Sequence, residues 1–258
     1  MFSVLFLSAL AAYASAQSTG CSRTLSSVAL NPDAAGCLNT IALIPLVNGN
    51  SSESLVPAVD NWLSGLCRAA PCSNETLAAV VTNITEGCAN DVELFGNIGQ
   101  STGAVISLVQ EYYPLVRSIA CLTDDGDNCI VKTLQDIEGA VGTLSIGNIV
   151  TQFLNGSNPV PLDLLCTDCV KAAYNLIADA IPSLASNNET ITQVEAQCGA
   201  NFTDGVTPSG IAQSASANGT SNVSSTSAAA KAFGSHTTSF AFGTAFVAIA
   251  FSVFCILA

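Results

Sequence analysis

Ten cysteines lie between residues 21 and 198, at Cys21, Cys37, Cys67, Cys72, Cys88, Cys121, Cys129, Cys166, Cys169 and Cys198, and no other feature restricts the possible folds as strongly. Cross-linked, they would staple the whole segment, each bridge contributing ~2–4 kcal/mol mainly by restricting the unfolded chain. Left reduced, they would point to redox or metal chemistry. The choice turns on "LLCTDCVKAAYNLI", residues 164–177, where Cys166 and Cys169 stand three positions apart at the head of a periodic segment. A redox pair of this spacing calls for a preceding strand and a βαβ setting. Here Leu164 and Leu165 precede it, the surroundings read as helical, and both thiols fall on the apolar half of the helix. Zinc fits less well still, because an oxidising compartment would consume the thiols. The cysteines are therefore read as covalent staples.

That compartment is read from both ends of the chain. "MFSVLFLSALAAYASAQ" places an apolar run before Ala14-Ser15-Ala16, the small-x-small pattern of a signal peptide, so residues 1–16 are expected to be a leader cleaved before Gln17. The last stretch, from Phe240 to Ala258, carries no charge and is not followed by the basic residues usual after a membrane span. Upstream stand Ser227-Ala228-Ala229 and a ten-residue spacer from Ala230 to Ser239. Small residues, spacer and hydrophobic tail form the layout of a glycosylphosphatidylinositol-anchor signal. The expectation is attachment at Ser227, with Asn222, Ser224 and Ser225 as alternatives, and removal of residues 228–258. A tail-anchored or single-pass protein is the competing reading.

Removing both ends changes the available chemistry. His236, the chain's only histidine, goes with the spacer, which excludes Ser-His-Asp and Cys-His catalysis and the commonest metal ligand. Lys231 goes too, leaving Arg23, Arg68, Arg117, Lys132 and Lys171 against all 19 acids, a balance one unit more negative than the formal −13 of the whole chain. So acidic a surface repels nucleic acid and anionic lipid. Of 11 cysteines, Cys255 lies in the tail, and the ten that remain are an even number able to form up to five bridges. N-glycosylation sequons at Asn50, Asn74, Asn83, Asn155, Asn188, Asn201, Asn218 and Asn222 agree with the secretory route.

Between the ends, residues 205–227 are rich in Ser and Thr with almost nothing large to bury, and read as a flexible, glycosylated stalk. The folded ectodomain is then expected within residues 17–204. Its periodicity is helical. After the N-cap Ser73, residues Leu77, Val80, Val81, Ile84 and Cys88 fall on one face, with Asn83 about 120° away. In the CTDC segment Leu165, Cys169, Ala173, Leu176 and Ala180 share a sector, while Asp168, Lys171, Asn175 and Asp179 occupy the other side. Ser186-Asn187-Asn188-Glu189 fits a capping box that starts a short helix towards Cys198. Further helices are expected over 53–69, over 101–122 with a bend near Pro114, and from Cys129 to about Leu154 with breaks at glycines. Without a run of alternating residues, the fold reads as all-α, a disulfide-stapled helical bundle.

"WLSGLCRAAPCSNETLAAVVTNI" and "LDLLCTDCVKAAYNLIADAI" each set a Leu-Cys before a second cysteine and an Ala/Val-rich helix, a faint repeat compatible with two interlocked halves. Each half holds five cysteines, so complete pairing requires at least one bridge between halves. Cys72 and Cys88 bracket one helix about 24 Å long and cannot pair with each other. Helices after Asp163 and after Asn188 form a plausible antiparallel hairpin, which brings Cys198 opposite Cys169 or Cys166.

Other chemistry is weaker. "TDDGDNC", residues 123–129, has the wrong ligand order for a calcium loop and reads as an acidic turn. A glycosidase-like carboxylate pair has no local motif behind it. "TIALIPLV" (40–47) and "AVISLV" (104–109) would suit the cavity of a lipid or sterol carrier, as in elicitins and saposins, but also ordinary core packing.

Taken together, the leader, the "NWLSGLC…PC" segment at 61–72, the "LLCTDC" helix and the Ser-rich stalk resemble a group of fungal secreted, cysteine-rich, often anchored proteins that form a domain family of unknown function. The resemblance covers roughly Cys21 to Thr203. It implies residence at the cell surface or wall and supplies no catalytic residues or cofactor. The sequence therefore predicts a glycosylated helical module, tethered outside the cell, with a structural or interaction role. Expected partners are the membrane through a lipid anchor, and a cell-wall polysaccharide or a lipid ligand; a lipid- or sterol-binding module is the alternative function.

Overall fold

The computed structural model describes residues 19–45, 52–89, 101–149 and 161–216. The leader, Asn50, Asn155, Asn218, Asn222, Ser227, Cys255 and the anchor signal lie outside the described residues. The fold is mostly helical, as the periodicity predicts. In chain order come α1 (Thr19–Ala29), α2 (Pro32–Leu38), a 3₁₀ turn (Thr40–Leu43), α3 (Val56–Arg68), α4 (Asn74–Gly87) and α5 (Thr102–Ala120). Then follow β1 (Leu122–Asp124), β2 (Asp127–Asn128), α6 (Cys129–Val141), a 3₁₀ turn (Leu162–Leu165), α7 (Asp168–Ala180), α8 (Pro182–Ala185), α9 (Asn188–Cys198), a third 3₁₀ turn (Ala200–Thr203) and β3 (Ile211–Gln213).

Side-chain caps explain where these helices begin. Asn31 Oδ1 accepts from the amides of Asp33 and Ala34 at 3.0 and 3.1 Å, with Pro32 at the first helical position of α2. Ser73 takes the Thr76 amide, Asn128 those of Ile130 and Val131, and Thr167 that of Val170. At α9 the cap is Asn187 and not Ser186: its Oδ1 accepts from Glu189 and Thr190. Asn and Ser cap about equally well, so a window holding both leaves the register open by one residue. Helix α5 runs through Pro114 as one element, and α6 stops at Gly142, whose φ of 91° suits glycine.

The larger core joins α2, α3 and α4 around Trp62, Leu63, Leu66, Leu38, Leu43 and Val80. Close approach there depends on small residues. Asn39, at φ 52° and ψ 37°, ends α2 in the left-handed conformation and donates its carboxamide to the carbonyls of Asn61 and Trp62 on α3. Trp62 Nε1 returns a 2.8 Å bond to the Leu38 carbonyl. A Cβ at Gly65 would overlap that Asn39 carboxamide, and one at Gly87 would overlap Thr24 where α1 crosses α4. Two smaller clusters surround α7: Leu122, Cys129, Cys169 and Ala172 on one side, and Tyr174, Val194 and Phe202 on the other.

Two features depart from the sequence reading. A three-stranded antiparallel sheet of order β2-β1-β3 accompanies the helices, with Thr123 opposite Asn128 and Leu122 opposite Gln213. Its strands are two or three residues long, too short for alternation to show; the acidic turn is a hairpin at Asp125-Gly126, both at positive φ. Second, residues 205–216 belong to the folded unit, although their composition reads as the start of the stalk. Ile211 packs against the Leu122 cluster, Ser214 N and Oγ donate to the Cys121 carbonyl, and Ser216 N donates to the Cys67 carbonyl at 2.7 Å. Such order rests on backbone pairing, to which composition is blind.

Candidate functional site

The ten cysteines form five disulfides: Cys21–Cys88, Cys37–Cys72, Cys67–Cys121, Cys129–Cys169 and Cys166–Cys198. Cys166 and Cys169 therefore serve different bridges. Cys166 also precedes α7, as the residue closing a 3₁₀ turn, so only Cys169 sits on the apolar helix face. Of the two partners considered for Cys198, the structure selects Cys166. In each half the second and fourth cysteines pair; Cys67–Cys121 joins the halves, and the remaining bridges differ, first to fifth in one half and third to fifth in the other. Five disulfides mark a secreted or extracellular protein. Among the described residues no helix is long and apolar enough to cross a membrane.

Within the described residues, the sequon asparagines Asn74, Asn83, Asn188 and Asn201 are all exposed. Asn74 and Asn188 begin α4 and α9, Asn83 lies mid-way along α4, and Asn201 lies in the 3₁₀ turn after α9. Each has solvent into which a glycan can extend.

A pocket of about 430 Å³, open to solvent, lies between α7, α9 and the segment that follows α9. Antiparallel return of α9 along α7, clamped by Cys166–Cys198, positions its walls. From α7 come Tyr174, Asn175, Ala178 and Asp179; Ile191 and Glu195 come from α9, and Thr203, Asp204 and Gly205 complete the lining. Tyr174 is buried, with its ring centroid 6.1 Å from that of Phe202, and its hydroxyl pKa is raised by burial and then by the Glu195 charge. Thr203 Oγ1 donates to Glu195 Oε1 at 2.6 Å. Lys171 Nζ lies 2.8 Å from Asp204 Oδ1, which also accepts from the Val206 amide. Those two bonds, that to Lys171 foremost, hold the Asp204 carboxyl below its ordinary pKa.

Asn175 departs from its expected place. The helical wheel puts it on the polar side of α7, yet it is only 7 % exposed. The reason is the 204–206 segment, which covers that side: Asn175 Nδ2 donates to the Val206 carbonyl at 3.2 Å. Its Oδ1 is buried with no hydrogen-bond partner. An acceptor left in that state costs about 1–3 kcal/mol.

Of the pocket residues, the sequence singled out Asn175 and Asp179 only as a polar face, and it missed Tyr174, Glu195, Thr203 and Asp204. A signal did exist. Asn175 and Asp179 are four apart on one arm of the expected hairpin, as Ile191 and Glu195 are on the other, and four-residue pairs on packed helices share a face. The acidic stretch 123–129 lies elsewhere, with Asp124 paired to Lys132. Among the described residues no group of three or more His, Cys, Asp or Glu side chains could hold a metal ion. The chain matches no family model, no curated protein and no solved structure.

Proposed function

We propose that the chain is a glycosylated ectodomain held by a glycosylphosphatidylinositol anchor on the outer face of the plasma membrane or in the cell wall, where it acts as a structural or interaction module without catalysis. The observation that carries this reading is that all ten cysteines between residues 21 and 198 are spent on bridges, which leaves no thiol chemistry there and requires an oxidising compartment. The C-terminal sequence supplies the anchor signal, and the resemblance to fungal surface proteins points the same way.

The lipid- or sterol-binding alternative has less support. In the 40–47 run, Thr40, Ala42 and Leu43 are buried, and Ala42 and Leu43 belong to the core around Trp62. The 104–109 run on α5 is partly uncovered, with Leu108 exposed. Phospholipase C specific for phosphatidylinositol is expected to release the full-length protein from expressing cells. Retention, with the hydrophobic C-terminal segment still attached, would contradict the anchor.

A further inference from the structure

We propose that the pocket between α7, α9 and residues 203–205 binds a small organic cation with N–H donors, the ammonium group of a free amine or of an amino sugar. This inference does not depend on how the chain is anchored.

The lining offers acceptors in excess of donors. Asp179, Glu195 and Asp204 place three carboxylates around one opening, and Lys171 neutralises only Asp204. Of the two hydroxyl groups in the lining, that of Thr203 is already given to Glu195, and that of Tyr174 is one donor against three carboxylates. Asn175, itself a lining residue and more than nine-tenths buried, has an Oδ1 with no hydrogen-bond partner. A ligand that completes this arrangement brings positive charge and more than one N–H. An anion would face like charge and no basic side chain in the lining, and an acyl chain would strip water from carboxylates without replacing its hydrogen bonds. A metal ion would need ligands that converge, which these carboxylates do not. Ala178 and Ile191 give the ligand's carbon skeleton an apolar surface, and Tyr174 adds an aromatic ring beside the negative rim. The volume falls within the range of small-molecule sites.

The test is calorimetric titration of the full-length protein, expressed through the secretory pathway so that its bridges form. The probes are putrescine dihydrochloride and glucosamine hydrochloride, with 1,4-butanediol and N-acetylglucosamine as their uncharged counterparts and calcium chloride as the metal control. At least one amine is expected to bind, more weakly at high salt, while its uncharged counterpart does not. Tighter putrescine identifies a linear amine as the source, and tighter glucosamine an amino sugar. Glu195→Gln is expected to weaken binding about tenfold. Asp179→Asn, at an exposed position, is expected to weaken it in the same direction and serves if the first variant misfolds. Equal binding of the uncharged counterparts, displacement of the amine by calcium, no binding of either amine at millimolar concentration, or affinity unchanged in both variants would overturn the proposal.

Discussion

Arg117 on α5 donates from Nη1 to the carbonyl of Leu66 on α3 at 2.6 Å, and from Nη2 to Ala69 at the same distance. It is 5 % exposed, and its partners are the carbonyls at the C-terminal end of α3, which the helix itself leaves unsatisfied and where the dipole favours a cation. Four residues further on, Cys121 is bridged to Cys67, next in sequence to Leu66. A buried charge and a covalent link thus fasten the same two helices, at the point where the halves of the chain meet.

Replacing Arg117 by Met keeps much of the buried stem but orphans both carbonyls. We expect a loss of about 1–3 kcal/mol, and no full rescue by Lys, whose single ammonium cannot reproduce the planar fork. Denaturant unfolding with all bridges intact measures it.

Removing the joining bridge, as Cys67→Ser with Cys121→Ser, opens a loop with a sequence separation of 54. On the chain-entropy estimate the cost is about 4 kcal/mol. Hydrogen exchange is expected to show α3 and α5 losing protection before α9, which keeps its own Cys166–Cys198 bridge.

Gly65→Ala places a methyl group on the Asn39 carboxamide. A loss of about 1–3 kcal/mol is expected, by overpacking. Adding Asn39→Gly, which removes the obstructing amide and tolerates the 52° φ, is expected to recover part of it. A double-mutant cycle reads the coupling; strict additivity would show that the two sites do not touch.

Asp204 has a pKa below its ordinary 3.8 because Lys171 and the Val206 amide favour its charged form. Its folded-state value is therefore lower than its unfolded one, so its contribution to stability is present above the ordinary value and is lost as pH falls through the depressed one. Lys171→Met is expected to move the Asp204 titration, followed by NMR, back towards 3.8.

Asn175→Leu exchanges a half-satisfied amide for an apolar side chain of similar size. Stability is expected to change by less than about 1 kcal/mol in either direction, because the lost bond to Val206 is offset by removal of the unpaired Oδ1. Amine binding in the pocket, by contrast, is expected to fall about tenfold or more.

Much of this architecture was legible in the sequence because its signals are local. Ser73 caps the helix it precedes, Gly142 ends α6, and apolar periodicity marks α4 and α7, although α7 starts only after its cap Thr167, which leaves Leu165 and Cys166 outside it. The parity of five cysteines per half required a crossing bridge, and helix length forbade Cys72–Cys88. What could not be read is what distant segments do to one another. Asn175 is polar on a wheel and buried because residues 204–206 lie over it. Strand β3 arises in a Ser-rich stretch because β1 offers it an edge, and Cys198 chooses Cys166 over Cys169 because Cys169 is already committed to Cys129.

The account depends most on how the sulphur atoms are joined, and non-reducing peptide mapping of the secreted protein measures that directly. The expected fragments carry Cys21 with Cys88, Cys37 with Cys72, Cys67 with Cys121, Cys129 with Cys169 and Cys166 with Cys198. A Cys166–Cys169 disulfide, or free thiols at either position, would contradict it and return the CTDC pair to redox chemistry.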